Sequence, residues 1–267
     1  MADARWKPTF LIRASLFLHA AIAIFLVIQP MRWHIALWLF LADHALLTLT
    51  GLLPRSHWLG SNWTRLPKTS SDRHEIALTI DDGPDPVVTP KVLDILDRYA
   101  AKATFFCIGE KAALHPELCR DIVARGHAVE NHSQHHRHHF SLLGYAGLMR
   151  ELEEAQSTLT KITGQNPLFF RAPAGLRNPF LDPVLAKLNL RLASWSVRAY
   201  DTRMGDPARV AHKLLRNLKA GSILLLHDGN SARTQDGNPV ILEALPVILS
   251  KARESGFRFV TLGAALS

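Results

Sequence analysis

Between Ala128 and Phe140 the chain reads AVENHSQHHRHHF, with histidines at 132, 135, 136, 138 and 139. So dense a set of imidazoles, mostly neutral at physiological pH, predicts affinity for a divalent metal. If the chain turns helically after His132, then His132 and His136 lie on one face and can share an ion. His135 would point elsewhere, and His138 and His139 would fall outside the pair. Three other blocks hold chemically capable residues: Asp81 and Asp82 in TIDDGPDP, Arg171 in FFRAPAG, and His227 in ILLLHDG. Taken singly, each has an ordinary reading as a turn, a surface Arg or a polar strand end.

Their combination defines a chemistry. A divalent metal held by one carboxylate and two imidazoles keeps positions open for water and a substrate oxygen. It acidifies that water and polarises a carbonyl. A second carboxylate alongside serves as base, and an Arg keeps that base ionised and oriented. A separate His protonates the leaving amine. These parts suit hydrolysis of an amide or ester. The same ligands suit a non-haem iron oxygenase, but the second Asp and the distal His favour hydrolysis.

The elements that must position these groups alternate in type. Apolar β-like runs fall at 75–80, 103–108, 127–131, 168–172, 192–196, 222–227 and 257–262, and helical periods at 89–100, 111–125, 143–163, 180–188, 206–219 and 239–254. Thr89-Pro90 offers an N-cap followed by Pro at the first helical position. Strands alternating with helices predict an α/β fold with a parallel sheet, here a TIM-like (β/α) barrel, incomplete or deformed. Function in such barrels gathers at the C-terminal strand ends, where all four blocks fall.

Ahead of this lie two apolar stretches, 10–29 and 34–53, separated by PMRW, each about long enough to cross a bilayer. No small-x-small cleavage site follows the first, so the expectation is a retained hairpin, residues 1–57, in contact with membrane lipid through residues 10–53. Asp43 and His44 near the middle of the second stretch either pair within the hairpin or mark a segment lying in the interface. Arg5, Lys7 and Arg13 before or in the first stretch, and Arg55, Arg65, Lys68 and Arg73 after the second, place both ends in the cytoplasm by the positive-inside rule. A single span would reverse that. Pro, Gly, Ser and Thr mark residues 58–73 as a linker to a catalytic domain at 74–267.

The 267 residues are 48% hydrophobic and 20% charged, which excludes a disordered chain. The net charge of +8 comes from scattered Lys and Arg, without a basic run or aromatic interleaving. That argues against a nucleic-acid partner and for a surface facing anionic lipid or lipid-linked phosphate. Cys107 and Cys119 read as buried reduced thiols. Nothing in the sequence bears on oligomeric state.

In this order, the blocks resemble those of the NodB-homology polysaccharide deacetylases, carbohydrate esterase family four, from about His74 to the C-terminus. The resemblance implies a deformed (β/α) barrel and a divalent metal, most often Zn²⁺, with Co²⁺, Mn²⁺ or Ni²⁺ as substitutes. TIDDGP makes Asp81 the base and Asp82 a metal ligand, and HSQHH makes His132 and His136 the other ligands. RAPAG makes Arg171 the residue orienting the base, with the Ala174 N–H at the oxyanion, and LLH makes His227 the general acid. The implied substrates are N-acetylated glycans such as chitin oligomers, peptidoglycan or poly-N-acetylglucosamine, and O-acetylated xylan. With the hairpin, this points to N-deacetylation of an envelope glycan or lipid-linked saccharide. An O-acetyl esterase, a lipid-linked amino-sugar deformylase and a degenerate tethered glycan binder are the alternatives. One block departs. Where the family has W-x-V-D-x-x-D-W, this chain reads WSVRAYDT. Arg198 replaces an Asp credited with tuning the catalytic His and Thr202 a pocket Trp, leaving Asp201 or Asp228 to compensate.

Overall fold

The computed structural model describes residues 6–266, so Arg5 and the outermost ends of the expected hairpin and catalytic segments lie outside the described residues. Two apolar helices come first, α1 (Phe10–Ile28) and α2 (Trp33–Gly51), both long and apolar enough to cross a membrane. After a short α3 (Lys68–Asp72), strands and helices alternate: β1 (Glu75–Gly83), α4 (Thr89–Arg98), β2 (Ala103–Cys107), α5 (Gly109–Leu114), α6 (Pro116–Ala124), β3 (Ala128–Asn131), α7 (Tyr145–Thr163), β4 (Phe169–Phe170), α8 (Leu181–Leu188), β5 (Arg191–Leu192), β6 (Val197–Arg198), α9 (Pro207–Leu215), β7 (Ile223–His227), α10 (Val240–Glu254) and β8 (Arg258–Phe259).

Every ladder is parallel, in the order β5-β4-β3-β2-β1-β7-β6 with β8 on β1. The sheet is a curled, open barrel, because its end strands β5 and β6 do not pair with each other. Continuous apolar runs make its central strands, which are covered on both faces. Ile76, Leu78, Ile80, Leu224 and Leu226 alternate outward against the helices, while Ala77, Ile223 and Leu225 face inward with Phe106, Phe169 and Trp195. Each large side chain so buried contributes about 1.5–3 kcal/mol.

The structure departs from the sequence expectations at four places. The run 192–196 is not one strand: β5 ends at Leu192, Ala193 makes an isolated bridge to Trp63, and β6 begins only at Val197. The helix expected over 111–125 is two, divided at His115 by Pro116; the missing N–H and the ring of Pro break an interior turn. Thr89 is the first residue of α4 and caps nothing; its hydroxyl instead faces Asp228. Finally, residues 58–73 are no free tether. Leu59 and Leu66 are buried, Trp63 bridges to Ala193, and Arg65 bridges to Ser222. The segment fills the seam that β5 and β6 leave open, and composition concealed this because the three apolar anchors sit among loop-forming residues.

The hairpin is docked on the barrel. Gly51 accepts from the Arg177 N–H at 3.2 Å, and a Cβ at Gly51 would lie 2.2 Å from the Arg177 carbonyl, so only glycine permits the approach. Ser194 Oγ donates to the Pro54 carbonyl at 2.7 Å, and Trp6 Nε1 to Asp182 at 2.8 Å.

Candidate active site

In a regular strand, neighbouring side chains point to opposite faces, so Asp81 and Asp82 cannot both reach one pocket. A bulge resolves this: the β1–β2 register slips between Asp81 and Gly83, and Asp82 takes a left-handed φ of 71°. Both carboxylates therefore line a cavity of about 300 Å³ with His132, His136, Ala174, Trp195, Arg198, Thr202, His227 and Asn230. Asp228 and Gly229 press on this bulge from β7. A Cβ at Gly83 would sit 2.4 Å from an Asp228 oxygen, and one at Gly229 would sit 2.1 Å from the Asp82 carbonyl.

His132 and His136 do come together, but not on a helix. Ser133 and His136 both have positive φ, 65° and 49°, and the His136 N–H donates to Ser133 Oγ at 3.0 Å. The turn folds the His136 ring back beside His132, with centroids 4.9 Å apart. The two Nε2 atoms lie 3.2 and 3.1 Å from Asp82 Oδ1. Three donors about 2.1 Å from one ion would stand roughly 3.0–3.4 Å from one another, so the set fits a divalent metal. The His132 tautomer fits as well. Its Nδ1 lies 2.8 Å from the Arg171 carbonyl, which can only accept, so Nδ1 carries the proton and Nε2 keeps its lone pair. Burial alone would raise the Asp82 pKa; the two imidazoles override it and hold the carboxyl well below the usual range.

Asp81 is held from the other side. Arg171 Nη1 donates to Asp81 Oδ1 and to Thr79 Oγ1, both at 2.7 Å. Its Nε and Nη2 donate to the carbonyls of Ala193 and Ser194 at 3.0 and 2.8 Å, and its guanidinium lies 4.1 Å from the Phe106 ring centre. Burial pushes the Arg171 pKa down and Asp81 opposes that shift, so the buried guanidinium is paired and not left alone in the core. Ala174, with φ 53°, turns the backbone at the cavity wall.

His227 pairs in register with Asp81 across β1 and β7. Its Nδ1 lies 3.0 Å from Asp201 Oδ1, and its backbone N–H donates to Asp201 Oδ2 at 2.7 Å. Burial opposes charge on the ring, but Asp201 prevails and raises the His227 pKa above the ordinary value. Of the two carboxylates left to compensate, Asp201 is therefore the partner of His227. Asp228 instead accepts from Thr89 Oγ1 and the Gly229 N–H, and burial pushes its pKa up to about 6. Arg198 makes no contact with His227; its guanidinium lies 5.2 Å from the Trp195 ring centre and 4.8 Å from that of Tyr200.

His135 turns away, its Nδ1 2.9 Å from Glu151, which also accepts from the His135 N–H and Arg137 Nε. His138 lines the cavity and His139 is exposed. Three supporting residues escaped the sequence reading. Asn230 Nδ2 donates to Asp82 Oδ2 at 3.1 Å, Lys111 Nζ donates to the Asp82 carbonyl at 2.8 Å, and Thr79 braces Arg171. Thr79 stands two positions before Asp81 on the same strand face, and Asn230 three after His227, so the strand-end rule could have reached both.

A family model described as polysaccharide deacetylase matches residues 68–193. The chain is 33% identical over 193 residues to the peptidoglycan-N-acetylglucosamine deacetylase of Bacillus cereus, covering 72% of this chain and 87% of that protein. It is 35% identical over 199 residues to the chitooligosaccharide deacetylase of Azorhizobium caulinodans, covering 71% and 93%. Among solved structures it is similar to a peptidoglycan N-acetylglucosamine deacetylase in complex with 4-naphthalen-1-yl-N-oxidanyl-benzamide, with TM-score 0.69, 28% identity, and 76% and 92% of the two chains covered. It is also similar to a family 4 acetyl xylan esterase from Clostridium thermocellum in complex with a cobalt ion, with TM-score 0.64, 29% identity, and 72% and 89% covered.

Proposed function

Because the chain belongs to the polysaccharide deacetylase family, we propose that it is a membrane-anchored, metal-dependent hydrolase removing N-acetyl groups from an amino-sugar glycan or lipid-linked saccharide. The observation that carries the reading is the convergence of Asp82, His132 and His136 on one point, between the Asp81–Arg171 and His227–Asp201 pairs.

Asp82, His132 and His136 hold a divalent cation, zinc before cobalt, manganese or nickel. Such an ion supplies positive charge that acidifies a water and polarises the acyl oxygen. Asp81, held in place by Arg171, takes the water's proton. The Ala174 N–H donates to the oxygen on which negative charge develops. His227, kept protonated by Asp201, gives its proton to the departing sugar nitrogen. The C–N bond breaks, acetate leaves, and the free amine remains on the sugar. Helices α1 and α2 anchor residues 1–57 in the bilayer, with both ends on the cytoplasmic side by the placement of Lys7, Arg13, Arg55 and Arg65. Residues 58–73 seal the barrel, and residues 74–267 carry the chemistry.

Acetate release from tetra-N-acetylchitotetraose by the zinc-loaded full chain tests this. Asp81→Asn should cut turnover by roughly 10²–10⁴-fold and leave zinc stoichiometric. A zinc-replete wild type that releases no acetate from this or any N-acetylglucosamine-containing substrate defeats the reading.

A further inference from the structure

A second cavity, of about 430 Å³, adjoins the catalytic one. Trp195 and Arg198 line both. Its walls carry Arg55, Arg198, Lys213 and Arg216 and no carboxylate. None of the four cations forms an ion pair with a described residue. Four positive charges around one hollow repel each other unless an anion sits among them. Arg198 adds a sharper observation. Its guanidinium is set between the Trp195 and Tyr200 rings, and its Nε is buried without a hydrogen-bond partner. Arg is also the residue whose planar donors match phosphate oxygens.

The cavity's far side fixes the kind of anion. Pro54 and Arg55 belong both to it and to an apolar groove formed by Leu46, Leu49, Leu53 and Trp58, where α2 leaves the membrane-length hairpin. Leu49, Leu53 and Trp58 are each 60% exposed. A continuous path therefore runs from the Asp82 site, through a cationic hollow, to an apolar surface at the membrane end of the chain. We propose that the cationic hollow binds the phosphate or diphosphate of a lipid-linked substrate, an N-acylated amino sugar joined through that phosphate to a long apolar chain. The sugar occupies the catalytic cavity, the phosphate lies against Arg198, Lys213 and Arg216, and the lipid leaves along Leu46–Trp58. This rests on the hydrolase reading above and narrows its substrate class. It also gives Arg198 a use.

The test uses zinc-loaded full chain in phosphatidylcholine nanodiscs with two substrates, farnesyl-diphospho-N-acetylglucosamine and neutral tetra-N-acetylchitotetraose. Wild type should prefer the glycolipid in kcat/KM. The Lys213→Glu/Arg216→Glu variant should lower the glycolipid-to-oligosaccharide ratio by about 30-fold or more, as two charge-assisted contacts predict. An unchanged ratio, or parallel loss on both substrates, overturns the proposal. If instead one-quarter phosphatidylglycerol in the disc changes oligosaccharide turnover through Lys213 and Arg216 with no glycolipid preference, the hollow holds a membrane headgroup and the proposal also falls. Should wild type hydrolyse neither substrate, the hydrolase reading fails by itself. Equilibrium binding of the same glycolipid then decides the phosphate site, which predicts at least tenfold weaker binding by the double variant and is refuted by equal binding.

Discussion

Among the described residues, two groups of one Asp and two His have ligand atoms within 4.8 Å of one another, one in the apolar hairpin and one at the barrel mouth. In the hairpin, both imidazoles also meet a backbone carbonyl through Nδ1, but the Asp43 carboxylate pairs with a hydroxyl of the other helix. Ser15 Oγ donates to Asp43 at 2.6 Å, the His19 Nδ1 lies 2.7 Å from the Ser15 carbonyl, and the His44 ring stacks on Phe40 with Nδ1 3.0 Å from its carbonyl. Asp43 is thus paired with Ser15 and His19 of α1 and does not depend on its neighbour His44. In the barrel, Arg171 O holds the His132 ring and Asn230 holds the Asp82 carboxylate, while Ser133 Oγ accepts from the backbone N–H of His136 and so fixes the turn that carries it. The same set of one Asp and two His joins two helices in one place and forms a metal-shaped site in the other. What separates them is the shell around the ligands.

The largest expected effect attacks that contrast directly. Asp82→Ala or His132→Ala should weaken zinc binding by more than the roughly 100-fold that loss of an orienting partner costs, whereas His19→Ala and His44→Ala should leave zinc stoichiometry unchanged. Equilibrium dialysis with zinc reads both, and zinc loss from the hairpin variants would erase the distinction. Next in size, Asp201→Asn removes the carboxylate that raises the His227 pKa. Burial then dominates and the pKa falls, so the alkaline limb of kcat/KM against pH should move to lower pH. Turnover near neutrality should drop by about 10²-fold or more. An unmoved limb would free Asp201 of this role. Asn230→Ala should weaken zinc by about 10–100-fold without altering the fold, which dialysis and circular dichroism separate. The smallest effect belongs to the hairpin: Asp43→Ala should destabilise helix association by about 0.6–2 kcal/mol, measured by thermal unfolding in micelles, with acetate release from the soluble oligosaccharide retained.

Much of the site was legible because a parallel barrel brings C-terminal strand ends together whatever its loops do. Asp81, Arg171 and His227 each follow an apolar run, so their meeting needed only the strand count. The i, i+4 spacing of His132 and His136 suggests a helical face that the structure does not use, since a turn with left-handed Ser133 and His136 produces the same proximity. Asp201 was ambiguous in sequence. It lies in an irregular stretch after β6, and only the folded loop shows which carboxylate faces His227 and which faces Thr89.

The sequence by itself determined the alternation of strands and helices, the apolar hairpin and the set of groups able to do hydrolytic chemistry. These depend on local periodicity and on residue type. Only the tertiary structure decided that Asp82 turns to the same side as Asp81, that residues 58–73 seal the barrel, and that Arg198 opens onto a cationic hollow beside the end of the apolar hairpin. Each of those outcomes depends on backbone distortions and contacts between residues far apart in the chain, which no local pattern encodes.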